Sequence, residues 1–290
     1  MKNVTTAADR NQKIAFFFLR VSILLVLLFI VVILGYIFIN GYSALSLEFI
    51  FESPKNRMTE GGVFPAIIGS FYLIVGAMLF SIPTGVLTAI YLTEYSRPGK
   101  LKWLIEMAIS NLAGTPSVVF GLFGLALFVK YLNFGPSLIA SALTLGLLVL
   151  PVVIRSTQEA LEVVPKELKD GSLALGVTKV ETIIRVVLPI AAPGIMTGII
   201  LGIGRVAGET APILLTGVAY FHPVLPDSPL SQFMALPYHL YVLATSGTNM
   251  EKLEPIQYGT ALVLLILVLS LNLIAIFIRQ RQRKKMKIGA

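Results

Sequence analysis

The sequence predicts an all-α polytopic membrane protein with six transmembrane helices. Of its 290 residues, 56% are hydrophobic and only 13% are charged, against about 25% charged in soluble domains. The apolar residues collect in runs of the length a helix needs to cross a bilayer, about 20 residues. Those runs are continuous, so the two-residue alternation of a transmembrane β-barrel is missing. The chain has no cysteine, which excludes disulfides, zinc–thiolate sites and a thiol nucleophile.

The elements follow in order. Residues 1–19 form an N-terminal segment carrying Lys2, Arg10 and Lys13. The first span, 20–39, is too long for the apolar region of a signal peptide and no A-x-A-like site follows it, so it reads as an uncleaved anchor. The second span, 63–92, is long enough to tilt or to bend at Pro83. The third, 104–129, is interrupted by Gly-Thr-Pro-Ser at 114–117. The fourth covers 135–154, the fifth 188–219 and the sixth 257–278, and a basic tail closes the chain at 279–290. The transmembrane domain is thus 20–278. Loops 40–62 and 220–255 lie on the side opposite the termini. The second contains SPLSQFMALPYHLYVLATSG, a candidate interfacial or re-entrant helix, with His222 and His239 read as ordinary surface or interface residues.

Charge fixes the orientation. The N-terminal segment together with Arg20 at the edge of the first span, the 93–103 loop, the 155–187 loop and the tail hold 18 of the 23 Lys and Arg residues. The opposite side holds four, Lys55, Arg57, Lys130 and Lys252, and Arg205 lies inside a span. The excess of Lys and Arg on the loops that share a side with the termini places both termini in the cytoplasm.

The 155–187 connection reads as helix, glycine corner, helix. Pro165 suits a first helical turn, Lys166 to Leu175 are helix formers, and Gly176 is a C-terminal stop. Thr178 then caps a second helix, with Glu181 placed for a capping box. Small residues near the bend would suit docking into a groove on another protein.

Three features put polar groups inside the membrane. Arg205 and Glu209 are spaced i, i+4, which would place them on one helix face. An unpaired charge at mid-membrane costs roughly 2.5–3.5 kcal/mol or more, so the pair must face protein or water. Gly194, Gly198 and Gly202 recur every four residues, as do Gly204 and Gly208, a spacing that lets membrane helices pack closely. Two readings stand: a polar clamp between helices, or an anion route in which Arg205 attracts and Glu209 prevents over-tight binding. The break at 114–117 lets Thr115 cap and Pro116 begin a new half-helix. Thr115 and Ser117 would then lie at an N-terminus able to face an anion; a satisfied proline kink is the alternative. Arg155, ending the fourth span, is a rim anchor or the inner mouth of the same route.

The spacing of the cytoplasmic loop carries a resemblance. Asp170-Gly171-Ser172, three residues, Gly176, nine residues, and then Val186-Val187-Leu188-Pro189 resembles the EAA loop of ABC-importer permeases. Asp stands for Glu, and Gly-Ser for Ala-Ala. SIPTGVLTAIYLTEY at 81–95 is similar to the second-span exit of the same family, LAGTPSVVFGLFGL at 112–125 to the Gly-x-Pro-Ser stretch of phosphate-type permeases, and RVAGETAPILLTG at 205–217 to the PstA-type permease of phosphate-specific systems, a resemblance that implies the bacterial or archaeal inner membrane. The resemblance spans almost the whole chain and implies a type I ABC-importer permease fold with a cytoplasmic coupling helix. It implies that Asp170, Gly171, Ser172, Gly176, Leu188 and Pro189 couple to an ATPase. It associates the charged residues of the 205–217 motif with transport. The implied partners are a homologous second permease (PstC type), two cytoplasmic ATPase subunits (PstB type) and an extracytoplasmic phosphate-binding protein (PstS type).

The chain carries no G-x-x-x-x-G-K-[ST] loop, no G-x-S-x-G and no H-E-x-x-H. The expectation is therefore a non-catalytic subunit that binds no cofactor itself, with ATP and magnesium on the partner ATPase. Phosphate is the cargo the resemblance implies. A permease for sulfate, molybdate or tungstate is the nearest alternative, and an ion-coupled carrier using Glu209 as a proton site is a more distant one.

Overall fold

The computed structural model describes residues 2–246 and 250–288. Helix α1 (Lys2–Gly41) is apolar all round from Ile23 to Ile39, and apart from the half-buried Ile37 its large side chains there are exposed, as a helix surrounded by lipid requires. It touches the bundle near its C-terminal end, where Tyr36 meets Tyr258 edge-on with ring centroids 5.5 Å apart. A short helix α2 (Leu47–Phe51), capped by the Ser46 hydroxyl, and a two-residue ribbon, β1 (Pro54–Lys55) with β2 (Glu60–Gly61), follow it.

Helix α3 (Phe64–Ile90) continues through a π turn at Tyr91–Tyr95 and keeps Pro83 inside it. The third apolar run is broken. Helix α4 (Lys100–Ala113) and helix α5 (Ser117–Gly124, prolonged by π turns at Leu125–Tyr131) meet at 104°. Pro116 itself occupies the cap position and Ser117 is the first helical residue. The Thr115 hydroxyl instead donates back to the Asn111 carbonyl, 3.0 Å away, so the capping role expected of Thr115 is corrected: it closes α4 rather than opening α5.

Helix α6 (Leu138–Glu162) starts at Ser137, whose hydroxyl accepts from the Ala140 N–H, and runs two turns past the 154 limit drawn from hydropathy. Helix α7 (Lys166–Ala174) turns at Gly176, where φ is +81°, a conformation glycine adopts without steric cost. Helix α8 (Lys179–Thr182) opens with a capping box between Thr178 and Glu181. A π turn at Ile183–Val187 joins it to α9 (Leu188–Gly208), giving one 30-residue helix over Lys179–Gly208. The fifth span is therefore displaced from the 188–219 expected. It begins earlier because the chain stays helical through the π turn at Ile183–Val187, directly ahead of Pro189, instead of stopping at the proline. It ends earlier because Pro212 offers no N–H to the Gly208 carbonyl four residues back.

Helix α10 (Ala211–Thr216) is a separate short piece. Helix α11 (Leu236–Ser246) lies in the 220–255 loop, with its Leu236 N–H bound to the Ser70 hydroxyl of α3 at 2.8 Å. His239 on α11 is 2% exposed, which corrects its reading as a surface residue. Helix α12 (Met250–Ile288) contains the sixth span and extends well past both of its hydropathy limits.

Helices α3, α6 and α9 form the centre. One buried cluster joins Leu73 and Ala77 of α3 to Leu145, Leu148 and Val149 of α6, Val206 of α9, and Phe233. A second, nearer the basic end, joins Ala89, Leu92, Ile154, Leu161, Val187 and Ala191. Among the described residues five helices are long and apolar enough to cross a membrane, and the bent α4–α5 pair makes six.

Candidate functional site: a broken helix pair and a basic corner

The glycines of α9 set the register on α6. A methyl group added at Gly194, Gly198 or Gly202 would stand 2.5 Å from Ala160 Cβ, 2.4 Å from Ser156 Cβ and 3.0 Å from Val149 Cγ2. The two helices therefore run antiparallel in close contact, as small residues permit in membranes. Gly208 is different: nothing lies within 4 Å of where its Cβ would be. Its assignment to helix packing is corrected, because the helix ends there and the ladder with α6 has already parted.

Arg205 occupies the last turn of α9, and Glu209 follows in an extended conformation, with φ −78° and ψ 130°. The i, i+4 helix-face reading is thus corrected, since Glu209 has left the helix. The two remain neighbours, with Arg205 Nε 3.9 Å from Glu209 Oε1. That is longer than the roughly 2.7–2.9 Å of a charge-assisted hydrogen bond. Arg205 is 37% exposed and Glu209 19%, so the guanidinium keeps most of its five donors available. Each charge also suits its place: a cation at the C-terminal end of α9 and a carboxylate just ahead of α10 both complement the helix dipoles.

The half-helices that follow the two breaks pack together. A Cβ on Gly121 of α5 would fall 2.9 Å from Pro212 Cα of α10. Thr115 lines a cavity of about 410 Å³ with Leu112, Val119, Phe120, Phe123 and Leu147. Apart from that hydroxyl, already bonded within α4, this lining is apolar and offers no donor to an anion. Ser117 is half-buried at the start of α5.

Arg155 is engaged elsewhere. Its guanidinium donates to the Ser110 hydroxyl at 2.6 Å, to the Glu106 carbonyl at 3.1 Å and to Gln158 Oε1 at 3.4 Å. It therefore ties α6 to α4. Its neighbour Ser156 packs on Gly198, and Arg205 lies seven residues further along α9, about 10 Å at 1.5 Å per residue. The structure places the two arginines at different depths.

Asn272 was not singled out in the sequence. Its Nδ2 lies 3.9 Å from a Cβ built on Gly204, and its Oδ1 is buried without a partner. The available signal was an amide well inside the sixth run, whose other amide, Gln257, stands at its edge. Missed too was the contact between the end of the second span and the 155–187 corner. Lys169 Nζ of α7 pairs with Glu94 Oε1 at 2.6 Å, with both side chains less than a fifth exposed. Lys179 donates to the Glu94 carbonyl and lies 4.6 Å from the centre of the Tyr95 ring. Inside the corner, the Ser172 and Thr182 hydroxyls are 2.9 Å apart.

The outer surface of the corner is bare. Asp170, Gly171 and Gly176 are exposed, and so are the apolar Leu168, Leu173, Leu175 and Val180. No atom lies within 4 Å of a Cβ placed on Gly171 or Gly176. Leu188 is half-buried and Pro189 exposed at the junction with α9. Among the described residues no group of three or more His, Cys, Asp or Glu is arranged to hold a metal.

A bundle of helices long and apolar enough to span a membrane, two of the apolar runs interrupted, with an ordered helical corner left uncovered at the basic end, defines a polytopic membrane protein. The chain belongs to the family of binding-protein-dependent transport system inner membrane components, whose pattern it matches over residues 81–288. It is 37% identical to the probable ABC transporter permease protein YqgI of Bacillus subtilis over 241 residues, 79% of this chain and 82% of that one. It is 38% identical to the phosphate transport system permease protein PstA of Mycobacterium leprae over 88% of this chain and 84% of that one. The phosphate transport system permease protein PstA 1 of Mycobacterium tuberculosis is 42% identical over 70% of this chain and 66% of its own length. In fold, the chain is similar to a subunit of the bacterial alginate ABC transporter, with a TM-score of 0.65 at 14% identity over 91% of this chain and 94% of that one. It is similar also to a chain of the MetNI methionine ABC transporter, with a TM-score of 0.56 at 18% identity over 76% and 94%. The architecture is that of an ABC-importer permease.

Proposed function

We propose that this chain is the PstA-type permease subunit of an ABC importer that carries inorganic phosphate inward. The observation that carries the reading is the 38% identity to a phosphate transport permease across 88% of the chain. The site's geometry supports it. Arg205 is a mid-membrane cation held loosely by its one carboxylate neighbour, at a helix break where exposed polar backbone must meet water or protein. Such a cation attracts a phosphate oxyanion, and the adjacent Glu209 keeps the attraction weak enough for release.

The basic end, with both termini, is the cytoplasmic side. There the bare corner around Asp170, Gly171, Ser172 and Gly176 seats on an ATPase subunit, which binds ATP and magnesium. No covalent step occurs on this chain. Closure of two ATPase subunits pulls the corner, and this permease rocks against a second, homologous one. An extracytoplasmic phosphate-binding protein delivers the ion to the opposite face.

The test is uptake of labelled phosphate by the assembled transporter, with sulfate, molybdate and tungstate as competitors. Phosphate uptake that needs ATP and resists the competitors is the expected result. Transport by this chain alone, without ATP, or preferential uptake of another oxyanion, would overturn it.

A further inference from the structure

Along α12 the exposed surface changes abruptly. Leu273, Ile274, Phe277 and Ile278 are all exposed and apolar. Arg279 and Arg281 follow, and 279–287 contains six cations and no carboxylate. A lipid-facing helix shows this change where the hydrocarbon layer gives way to headgroups. The α6–α9 register gives the same level independently: Gly194 meets Ala160, which is two residues from the end of α6 at Glu162.

At this level α9 and α12 enclose a cavity of about 260 Å³ lined by Pro193, Gly194, Thr197 and Arg279. The Thr197 hydroxyl donates to the Pro193 carbonyl at 3.0 Å and accepts from Arg279 Nη1 at 3.1 Å. The hydroxyl thereby fixes the guanidinium at the cavity while leaving its other N–H groups unused. Among the described residues Arg279 has no carboxylate within ion-pair distance, whereas Lys169, Lys102 and Arg185 each have one. One helical turn before Arg281, Phe277 carries that residue's guanidinium 4.5 Å from its ring centre, adding a second cation beside an acyl-chain-facing surface.

We propose that this cavity binds the phosphodiester of an anionic glycerophospholipid, with Arg279 as the phosphate ligand and Thr197 as its positioning residue. The guanidinium fork matches phosphate oxygens, the apolar strip below it receives the acyl chains, and the basic residues beyond it favour a net negative headgroup. This site is separate from Arg205, and its assignment to lipid does not depend on which ion the transporter carries.

The test is native mass spectrometry of the assembled transporter with phosphatidylglycerol or phosphatidylcholine of matched acyl chains. The wild-type complex should retain phosphatidylglycerol preferentially. Arg279→Ala should lower that retention about five-fold, the share of one interfacial cation, and Arg279→Lys should restore part of it. Millimolar inorganic phosphate should leave it unchanged. Full retention by an Arg279→Ala complex that assembles normally, or equal retention of the two lipids by wild type, would overturn the proposal. Displacement by inorganic phosphate would assign the cavity to the free ion and overturn the lipid reading. If Arg279→Ala fails to assemble, Thr197→Val, which frees the guanidinium without removing it, should still reduce the preference, and an unchanged preference would count against the site.

Discussion

Glu94 and Lys169 join the end of the second span to the middle of the corner helix through a 2.6 Å ion pair that is mostly shielded from water. With Lys179 bound to the same residue's carbonyl, the corner is fastened to three spans, α3 by this contact and α6 and α9 by chain continuity. A pull on the corner would therefore reach α3 as well as the two helices that flank it in sequence. Glu94→Lys faces two lysines and should sharply reduce ATP-driven uptake while leaving the complex assembled. The swap Glu94→Lys with Lys169→Glu should recover part of the loss. Thermal unfolding of the four variants should give a coupling energy on the order of 1–2 kcal/mol. Additive effects of the two single changes would show that the pair does not transmit force.

Arg205→Gln removes the one cation inside the spanning region of α9 without altering the helix end. Phosphate uptake should fall by at least about tenfold, the loss expected on removing a charge-assisted contact. Arg205→Lys should retain more. Glu209→Gln should weaken discrimination against a second phosphate-sized anion more than it weakens uptake. If Arg205→Gln transports normally, the residue serves packing alone.

Gly198 and Gly208 should separate by the space around them. Gly198→Ala meets the Ser156 side chain at 2.4 Å and should cost about 1–3 kcal/mol, as overpacking does. Gly208→Ala enters open space and should leave the melting temperature of the complex nearly unchanged. Equal destabilisation by both would contradict the α6–α9 register.

How far the sequence carried this architecture depends on which interactions are local. The capping box at Thr178 and Glu181 and the glycine corner at Gly176 involve residues three or fewer apart, and their chemistry is written in the chain. The gap between Arg205 and Glu209 was also local. Gly208 and Pro212 together end the helix, yet the apolar run continues across them, and hydropathy registers composition rather than hydrogen-bond donors. Contacts such as Arg155 with Ser110, 45 residues apart, and Lys169 with Glu94, 75 apart, depend on how helices cross. Nothing in the neighbouring residues announces them. Thr115 shows the reverse error: a good capping residue whose hydroxyl found the nearer carbonyl of Asn111 first.

His239 should make the fold sensitive to acid. It lies on α11, outside the six spans, where burial alone lowers its pKa from 6.5 to about 4, and its Nδ1 has no hydrogen-bond partner. In the unfolded chain the imidazole takes up a proton near pH 6.5, while in the folded protein it resists until about pH 4. Between these values the unfolded state binds more protons, so stability rises with pH across that window and is lost as pH falls through it. The loss is complete near pH 4 and amounts to about 3 kcal/mol at most, at 1.36 kcal/mol per unit. Thermal melts of the purified complex from pH 7.5 to 4 should show the midpoint falling below pH 6.5. His239→Leu, which keeps the buried volume without a titrating group, should flatten that part of the profile. An identical acid response in wild type and His239→Leu would mean that carboxylates, not this histidine, set the limit.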